Sequence, residues 1–414
     1  MINVSQKLPS SGSTVRVLTY CMLACLPFSV AGVNFFGFLV FLTSITSREF
    51  WESARSTIRN PLVITALFLL GLMFLGIFHT SGSSQEAFNF LNRYKKLLFI
   101  PLLIPHFQRQ EHRITAVKVF AWSIFLTVML SWSEYFGLTH MSDPAYSNEP
   151  PGDAVFKMHI TQGVLFSLLI AISTGLALCS KKKVERWIYL VISCLSALDI
   201  GWVMVARTGK ATIPILAIWI TLEFLRVANI SRKRFYLFLG LSVAGISMIT
   251  AVFMLNPETR MGSIIQEVRQ THQNGSLTSE GERVEFWKKG LTLFSTKPIL
   301  GYGTGSILYE STRLAKQSET EVGRLPTYNL HNEYLMWAAQ LGIFGLGGIL
   351  ALFYFWFRMS LKETIVSGIQ IRGHWVVFST GCLFNPYLID FTEGYSMVLL
   401  MGIFSTLVVR PAKG

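Results

Sequence analysis

The sequence predicts an all-α integral membrane protein with about 12 transmembrane helices and one large helical loop on one side of the bilayer, and three observations carry that expectation. Of the 414 residues, 51% are hydrophobic and only 14% are charged, against roughly 25% charged in a soluble domain. The apolar residues come in blocks long enough to cross a hydrocarbon core, which takes about 20 residues of helix. Lysine and arginine gather in short connections between those blocks, as the positive-inside rule requires. That distribution accounts for the net charge of +13 and excludes nucleic acid as the partner.

Taken in order, the expected spans are 15–31, 33–46, 61–79, 95–107, 114–136, 158–179, 187–206, 211–228, 235–255, 333–357, 374–390 and 394–409. The second and fourth are short, and one or both are expected to be re-entrant or oddly tilted. A polar run from Met1 to Thr14 precedes the first block without a compact apolar region and small-residue cleavage site, so that block is expected to be a retained helix. Cys21, Cys25, Cys179, Cys194 and Cys382 are scattered through apolar stretches with no Cys-x-x-Cys spacing. Neither a zinc site nor a disulfide framework follows from them.

Basic clusters follow the even-numbered spans: Arg48, Arg55 and Arg59, then Arg109 and Arg113, Lys181 to Lys183 with Arg186, Arg232 to Arg234, and Arg358, Lys362 and Arg372. They place these loops and both termini in the cytoplasm. The chain then divides into spans one to nine (1–255), a loop on the outer face (256–332) and spans ten to twelve (333–414). In the loop, Met261, Ile264, Ile265 and Val268 recur at i, i+3, i+4 and i+7, the pattern of an amphipathic helix at the membrane surface. Ser279-Glu280-Gly281-Glu282 reads as a capping box opening a second helix, with Val284, Trp287, Leu291 and Phe294 on one stripe. Lys297-Pro298 ends it. The run Gly301-Tyr302-Gly303-Thr304-Gly305 follows no strand and is a poor nucleotide-binding candidate.

The outer face carries cations against the topology rule, among them Arg93, Lys95, Lys96, Lys157, Arg207, Lys210 and Arg283. Arg207 and Lys210 lie in a very short turn, where the exemption for long loops does not apply. An anionic ligand is the expected reason. Arginine suits a diphosphate because its planar fork donates paired hydrogen bonds and stays charged, and two arginines can stabilise a diphosphate leaving group as a metal does elsewhere. No clustered carboxylates suggest a metal site; Asp143 and Asp153 only flank a Pro-Pro loop. No metal and no cofactor are expected.

His331, in His331-Asn332-Glu333 where span ten begins, is the candidate general base. A helix N-terminus and nearby arginines both disfavour imidazolium and keep the ring able to accept a proton. Glu333 is the rival base or the group that orients the histidine. His159, Trp287, Asn332 and Asp390 are candidate wall residues, with Glu393 beside the last; Asp199 is an intramembrane carboxylate of either functional or structural use.

Arg207-Thr208-Gly209, then Arg283-x-x-x-Trp287 with Pro298-x-x-Gly301-x-Gly303, then His331-Asn332-Glu333-Tyr334-Leu335, set in this topology, resemble the O-antigen ligase family. The resemblance implies a GT-C-like membrane fold and transfer of O-antigen polysaccharide from undecaprenyl diphosphate to a lipid A-core sugar at the periplasmic face of the bacterial inner membrane. It implies that Arg207 and Arg283, with Lys210 near them, bind the diphosphate and that His331 activates the acceptor hydroxyl for inverting attack. Related O-antigen polymerases and protein O-oligosaccharyltransferases are the alternative. The polymerases often carry an arginine with a glycine eleven positions later, which none of Arg207, Arg260, Arg269, Arg283, Arg313 and Arg324 has. A polysaccharide flippase or transporter is a further alternative, supported by Asp199 and opposed by the lack of an internal repeat.

Overall fold

A computed structural model describes residues 11–141, 150–205, 207–256, 262–274 and 277–407. All the regular structure among these residues is helical, with no strand. The chain opens with α1 (Ser11–Cys25), α2 (Val30–Ile45), α3 (Arg48–Ile58), α4 (Pro61–Gly76), α5 (Ser84–Tyr94), α6 (Phe99–Leu103) and α7 (Gln110–Tyr135). It continues with α8 (His159–Cys179), α9 (Lys183–Leu198), α10 (Arg207–Val227), α11 (Arg232–Leu255), α12 (Ser263–Asn274), α13 (Ser279–Thr296), α14 (Ile307–Ala315), α15 (Glu333–Ser360), α16 (Ile365–Gly381) and α17 (Phe391–Phe404).

Six stretches are long and apolar enough to cross a membrane: Pro61–His79, Gln110–Tyr135, His159–Cys179, Lys183–Val203, Arg232–Val252 and Glu333–Ser360. The chain is an all-helical integral membrane protein. α2 and α3 make a seventh span if counted together, although they meet at 87°. The remaining expected spans are helical but shorter or more polar. The 95–107 segment divides into α6 flanked by two 3₁₀ turns, because Pro101 and Pro105 each remove a helical N–H and clash with the preceding turn. α10 carries Arg207, Lys210, Glu223 and Arg226 within its 21 residues. α17 has only 14 residues, but from Thr392 onward all are buried, so protein surrounds it rather than lipid. The basic segment read as the loop after span two is α3, and α5 is a helix that the apolar blocks did not signal; Ser83 and Glu86 form its capping box.

α8 is the most enclosed of the six stretches, with 89% of its membrane-length window buried. Small residues let its neighbours approach, as packing between helices in lipid requires. A Cβ on Gly209 of α10 would lie 3.3 Å from the Cα of Gly163, and Ser167 and Thr212 hydrogen-bond across the same contact at 2.7 Å. The glycine of Arg207-Thr208-Gly209 therefore seats the helix that carries the arginine.

The large loop departs from its expected pattern in two places. α13 is capped by Thr278, whose hydroxyl accepts the Gly281 N–H at 3.2 Å, one residue earlier than the expected box. Its buried face runs through Phe286, Lys289, Gly290 and Leu293, while Leu291 is exposed. Gly290 lets Leu330 and Leu335 close in on that face, and tertiary contact prevails over the Val284–Trp287–Leu291–Phe294 stripe. α12 begins at Ser263; Arg260 and Met261 of the expected amphipathic helix lie outside the described residues, as does Asp143.

The glycine run is a wedge. Tyr302 and Gly303 donate their N–H groups to the carbonyls of Ala339 and Gln340, and Thr304 donates to Gly76. α15 breaks to receive it: Gly342 has φ 60° and ψ −150°, and Ile343 donates its N–H to Pro298 at 2.8 Å. Any Cβ at 342 would stand 2.1 Å from the Ile299 carbonyl oxygen. Gly342→Ala is therefore expected to destabilise the fold by about 2–3 kcal/mol or more, combining left-handed strain with a backbone clash. A melting curve in detergent checks this; an unchanged Tm would show that the wedge shifts without cost.

Candidate active site

Arg207, at the start of α10, reaches across to α12 and α13. Its guanidinium donates to Glu267 Oε2 at 2.8 Å, to Ser263 Oγ at 3.0 Å and to Glu280 Oε1 at 3.2 Å, with a further bond to Glu267 Oε1. Arg283 lies one turn along α13 from Glu280 and donates to that same Oε1 at 3.1 Å. One carboxylate oxygen thus gathers the two arginines that the sequence singled out. The hydrogen bond from Arg207 holds the Glu267 carboxyl below its ordinary value, against the opposing effect of burial. Lys210 sits half-buried nearly one turn further along α10.

His331 adopts a left-handed backbone conformation, φ 49°, which a residue with a Cβ holds only when its surroundings enforce it. Four contacts do so. Its N–H donates to Asn329 Oδ1 at 2.7 Å, and its carbonyl accepts from the Trp287 indole at 3.1 Å. The ring stacks on Phe286 at 6.0 Å between centroids and 12° between planes. Nδ1 lies 3.1 Å from Asn385 Oδ1. With the Asn385 oxygen as acceptor, Nδ1 carries the proton and Nε2 is left as the basic nitrogen. Burial, first, holds the ring pKa below the ordinary histidine value; the Asn385 bond opposes that shift, and the charge of Arg283 adds to it.

The structure divides the other candidates by what they touch. Asn332 caps α15, accepting the Leu335 N–H at 3.0 Å and donating to the Leu383 carbonyl at 3.0 Å. Glu333 is fully buried, and its carboxylate accepts from Tyr94 at 3.1 Å, Trp337 at 2.7 Å and the Leu388 N–H at 2.9 Å. The group that orients the His331 ring is Asn385, not Glu333, because the Glu333 carboxylate is committed to α5, α15 and the 382–390 connection. His159 lies 3.9 Å from Asp153, whose other oxygen accepts the Val205 N–H at 2.7 Å; this links His159 to the turn that precedes Arg207. Asp390 precedes α17 and offers its carbonyl to the Lys96 ammonium. Asp199 opens a π-helical turn and accepts from Ser131 at 3.2 Å. Among the described residues, no group of three or more His, Cys, Asp or Glu is placed to hold a metal.

Residues 195–350 match the family model described as O-Antigen ligase. Over those residues the chain is similar to an O-antigen ligase domain. That stretch contains Arg207, Arg283 and His331. The chain is also similar to an O-antigen ligase of Escherichia coli (strain K12), 22% identical over 315 residues that cover 74% of this chain and 72% of the relative. It is similar too to an uncharacterised protein of Haemophilus influenzae, 24% identical over 297 residues, covering 71% and 70%.

Sequence reasoning missed Asn385, Phe286, Glu267 and Glu280. Glu280 stands three residues before Arg283, a spacing that pairs charges on a helix and was there to be read. Asn385 lies beyond the matched stretch and more than fifty residues from His331, and nothing local marks it. If it fixes the ring tautomer, Asn385→Ala lowers kcat by about tenfold, the worth of one good hydrogen bond, and leaves KM nearly unchanged. Losing the acceptor at Nδ1 also moves the acid limb of the rate profile to lower pH, whereas Asn385→Asp moves it to higher pH. An unaltered profile in both variants would remove Asn385 from the reaction.

Proposed function

We propose that the protein is an inverting, metal-independent glycosyltransferase that moves O-antigen polysaccharide from undecaprenyl diphosphate to a lipid A-core sugar. It works at the periplasmic face of a multi-pass, GT-C-like fold with both termini in the cytoplasm. The observation that carries this reading is the convergence of two arginine forks on one carboxylate oxygen, at the same end of the bundle as a histidine held with Nε2 as its basic nitrogen. Paired forks that meet on carboxylate oxygens offer the geometry that a diphosphate takes up.

In the reaction, the diphosphate replaces Glu267 and Glu280 at the arginines. His331 Nε2 removes the proton from the acceptor hydroxyl, and that oxygen forms a bond to the anomeric carbon as the bond to the diphosphate oxygen breaks on the opposite face. The arginines neutralise the charge that builds on the departing polyprenyl diphosphate. The 22% identity to the Escherichia coli ligase supports this choice of donor and acceptor.

The test incubates purified full-length protein with an undecaprenyl-diphosphate-linked glycan and lipid A-core in the presence of EDTA. Formation of the joined product is expected. Lengthening of the lipid-linked glycan instead would make the protein a polymerase, and activity that returns only with Mg²⁺ or Mn²⁺ would refute the assignment of the metal's role to the arginines.

A further inference from the structure

Lys95 is an exposed cation on the face where the topology rule disfavours one, and the site above does not use it. It stands at the head of a groove of about 330 Å³ between α2, the Lys95–Leu102 segment and Tyr395 of α17. One wall is Gly37, Phe38 and Phe41, headed by Asn34; the other is Leu98, Phe99 and Leu102, headed by Lys95. Both walls follow the spacing i, i+3, i+4, i+7, so each is a single stripe about 10 Å long at 1.5 Å per residue. The polar residue stands at the same end of both stripes. The result is an apolar trench with an amide and an ammonium at its mouth, and the volume lies at the low end of ligand sites (roughly 300–1,000 Å³), which suits one hydrocarbon chain.

The residues on either side of Lys95 reach towards the candidate active site. Lys96, next to Lys95, donates to the Asp390 carbonyl, and Tyr94 bonds to Glu333 two residues after His331. On α15, Glu333 faces α5, while Leu335 faces Gly290 of α13. Two residues on a helix are about 200° apart. The arginine-bearing helix and the end of α5, where the groove's head begins, therefore flank the start of α15 from opposite sides. A displacement with inversion needs its nucleophile and leaving group on opposite sides of the reacting carbon, so two membrane-bound substrates are best delivered along these two sides.

We propose that this groove seats one acyl chain of the phosphorylated glycolipid acceptor, with a phosphate of that lipid at Lys95 and the sugar projecting towards His331. The inference rests on the transferase reading for which lipid is the acceptor; the groove, its polarity and its position do not depend on it. Charge complementarity favours a phosphorylated lipid over a zwitterionic one, and the arginines already supply a place for the polyprenyl diphosphate.

The test uses the full-length protein in nanodiscs of zwitterionic phospholipid, with bis-phosphorylated lipid A as the binding probe, read by native mass spectrometry. Initial transfer rates are measured against each substrate in parallel. Lys95→Gln removes the charge, and Leu98→Trp fills the trench at an exposed position. Both are expected to weaken lipid A retention and to raise the acceptor KM, Lys95→Gln by about fivefold, the weight of one lysine at a lipid headgroup. The donor KM and kcat should hold, and Lys95→Arg should restore the wild-type values. A rise in donor KM instead would show that the groove holds the polyprenyl chain and overturn the proposal. Equal displacement of lipid A by phosphatidylglycerol, or no change in either variant, would reduce it to an annular lipid contact. If lipid A retention depends on Lys95 but the wild type transfers no glycan, the transferase reading fails and the groove stands.

Discussion

His331→Ala is expected to fold, insert and bind the lipid-linked donor while losing transfer by about 10²–10⁴-fold, the usual contribution of a general base. The loss belongs in the single-turnover rate and hardly in donor affinity, because the arginines proposed to meet the diphosphate stand on other elements. Raising the pH should restore part of the activity, since fewer acceptor hydroxyls then need an enzymatic base. The proposed base works as the neutral ring, and the pKa of His331 is held below the ordinary value mainly by burial. The rate should therefore be on its plateau near neutral pH and fall only in acid. Stability follows the same direction: a pKa lower in the folded state contributes stability above the ordinary histidine value of about 6.5 and loses it as pH falls through the folded value. A competing role as a purely structural residue predicts a lower Tm, with transfer proportional to folded protein. A wild-type single-turnover rate in His331→Ala would rule out the histidine as base.

The second large effect is expected at the arginines. Arg207→Lys and Arg283→Lys keep the charge but lose the fork, and each should cost about 1.5–3 kcal/mol, roughly 10- to 150-fold in donor KM or transfer rate. Arg207 also binds Ser263 and Glu267 on α12, so its replacement alone does not separate ligand binding from the docking of that helix. Glu267→Gln does. It leaves the arginine in place and removes a competing anion, so donor binding should tighten if Glu267 occupies the place of a phosphate. Near-normal transfer by both lysine variants would remove diphosphate binding from the reading; weaker donor binding in Glu267→Gln would make the Arg207–Glu267 pair a structural strut.

Membrane residence, helical class and the three chemical landmarks were legible in the sequence because each depends on local properties. Apolar length decides whether a segment enters lipid, and a histidine or arginine keeps its chemistry wherever the chain leads it. Arg207, Arg283 and His331 stood out as cations and a base in polar breaks between apolar blocks. The irregularity of the second and fourth expected spans was legible in their shortness, but the shortness of α17 was not. α17 is made apolar by its protein neighbours' demands rather than by lipid, and hydropathy does not separate the two solvents. Likewise nothing local marks the Gly301–Gly305 run as a wedge; only the break at Gly342 shows it to be one.

What the sequence by itself determined, then, is the set of candidate groups and the medium that holds them. Only the tertiary structure decided which groups meet. It joined Arg207 to Arg283 through Glu280, across 73 residues from Arg207 to Glu280. It brought Asn385 to the His331 ring across 54 residues and committed the adjacent Glu333 to Tyr94, Trp337 and Leu388. The physical reason is that a side chain's partner depends on which helix faces come into contact. His331 stands in a left-handed conformation before the Asn332 cap, while Glu333 opens α15, so adjacency in sequence says little about adjacency in the site.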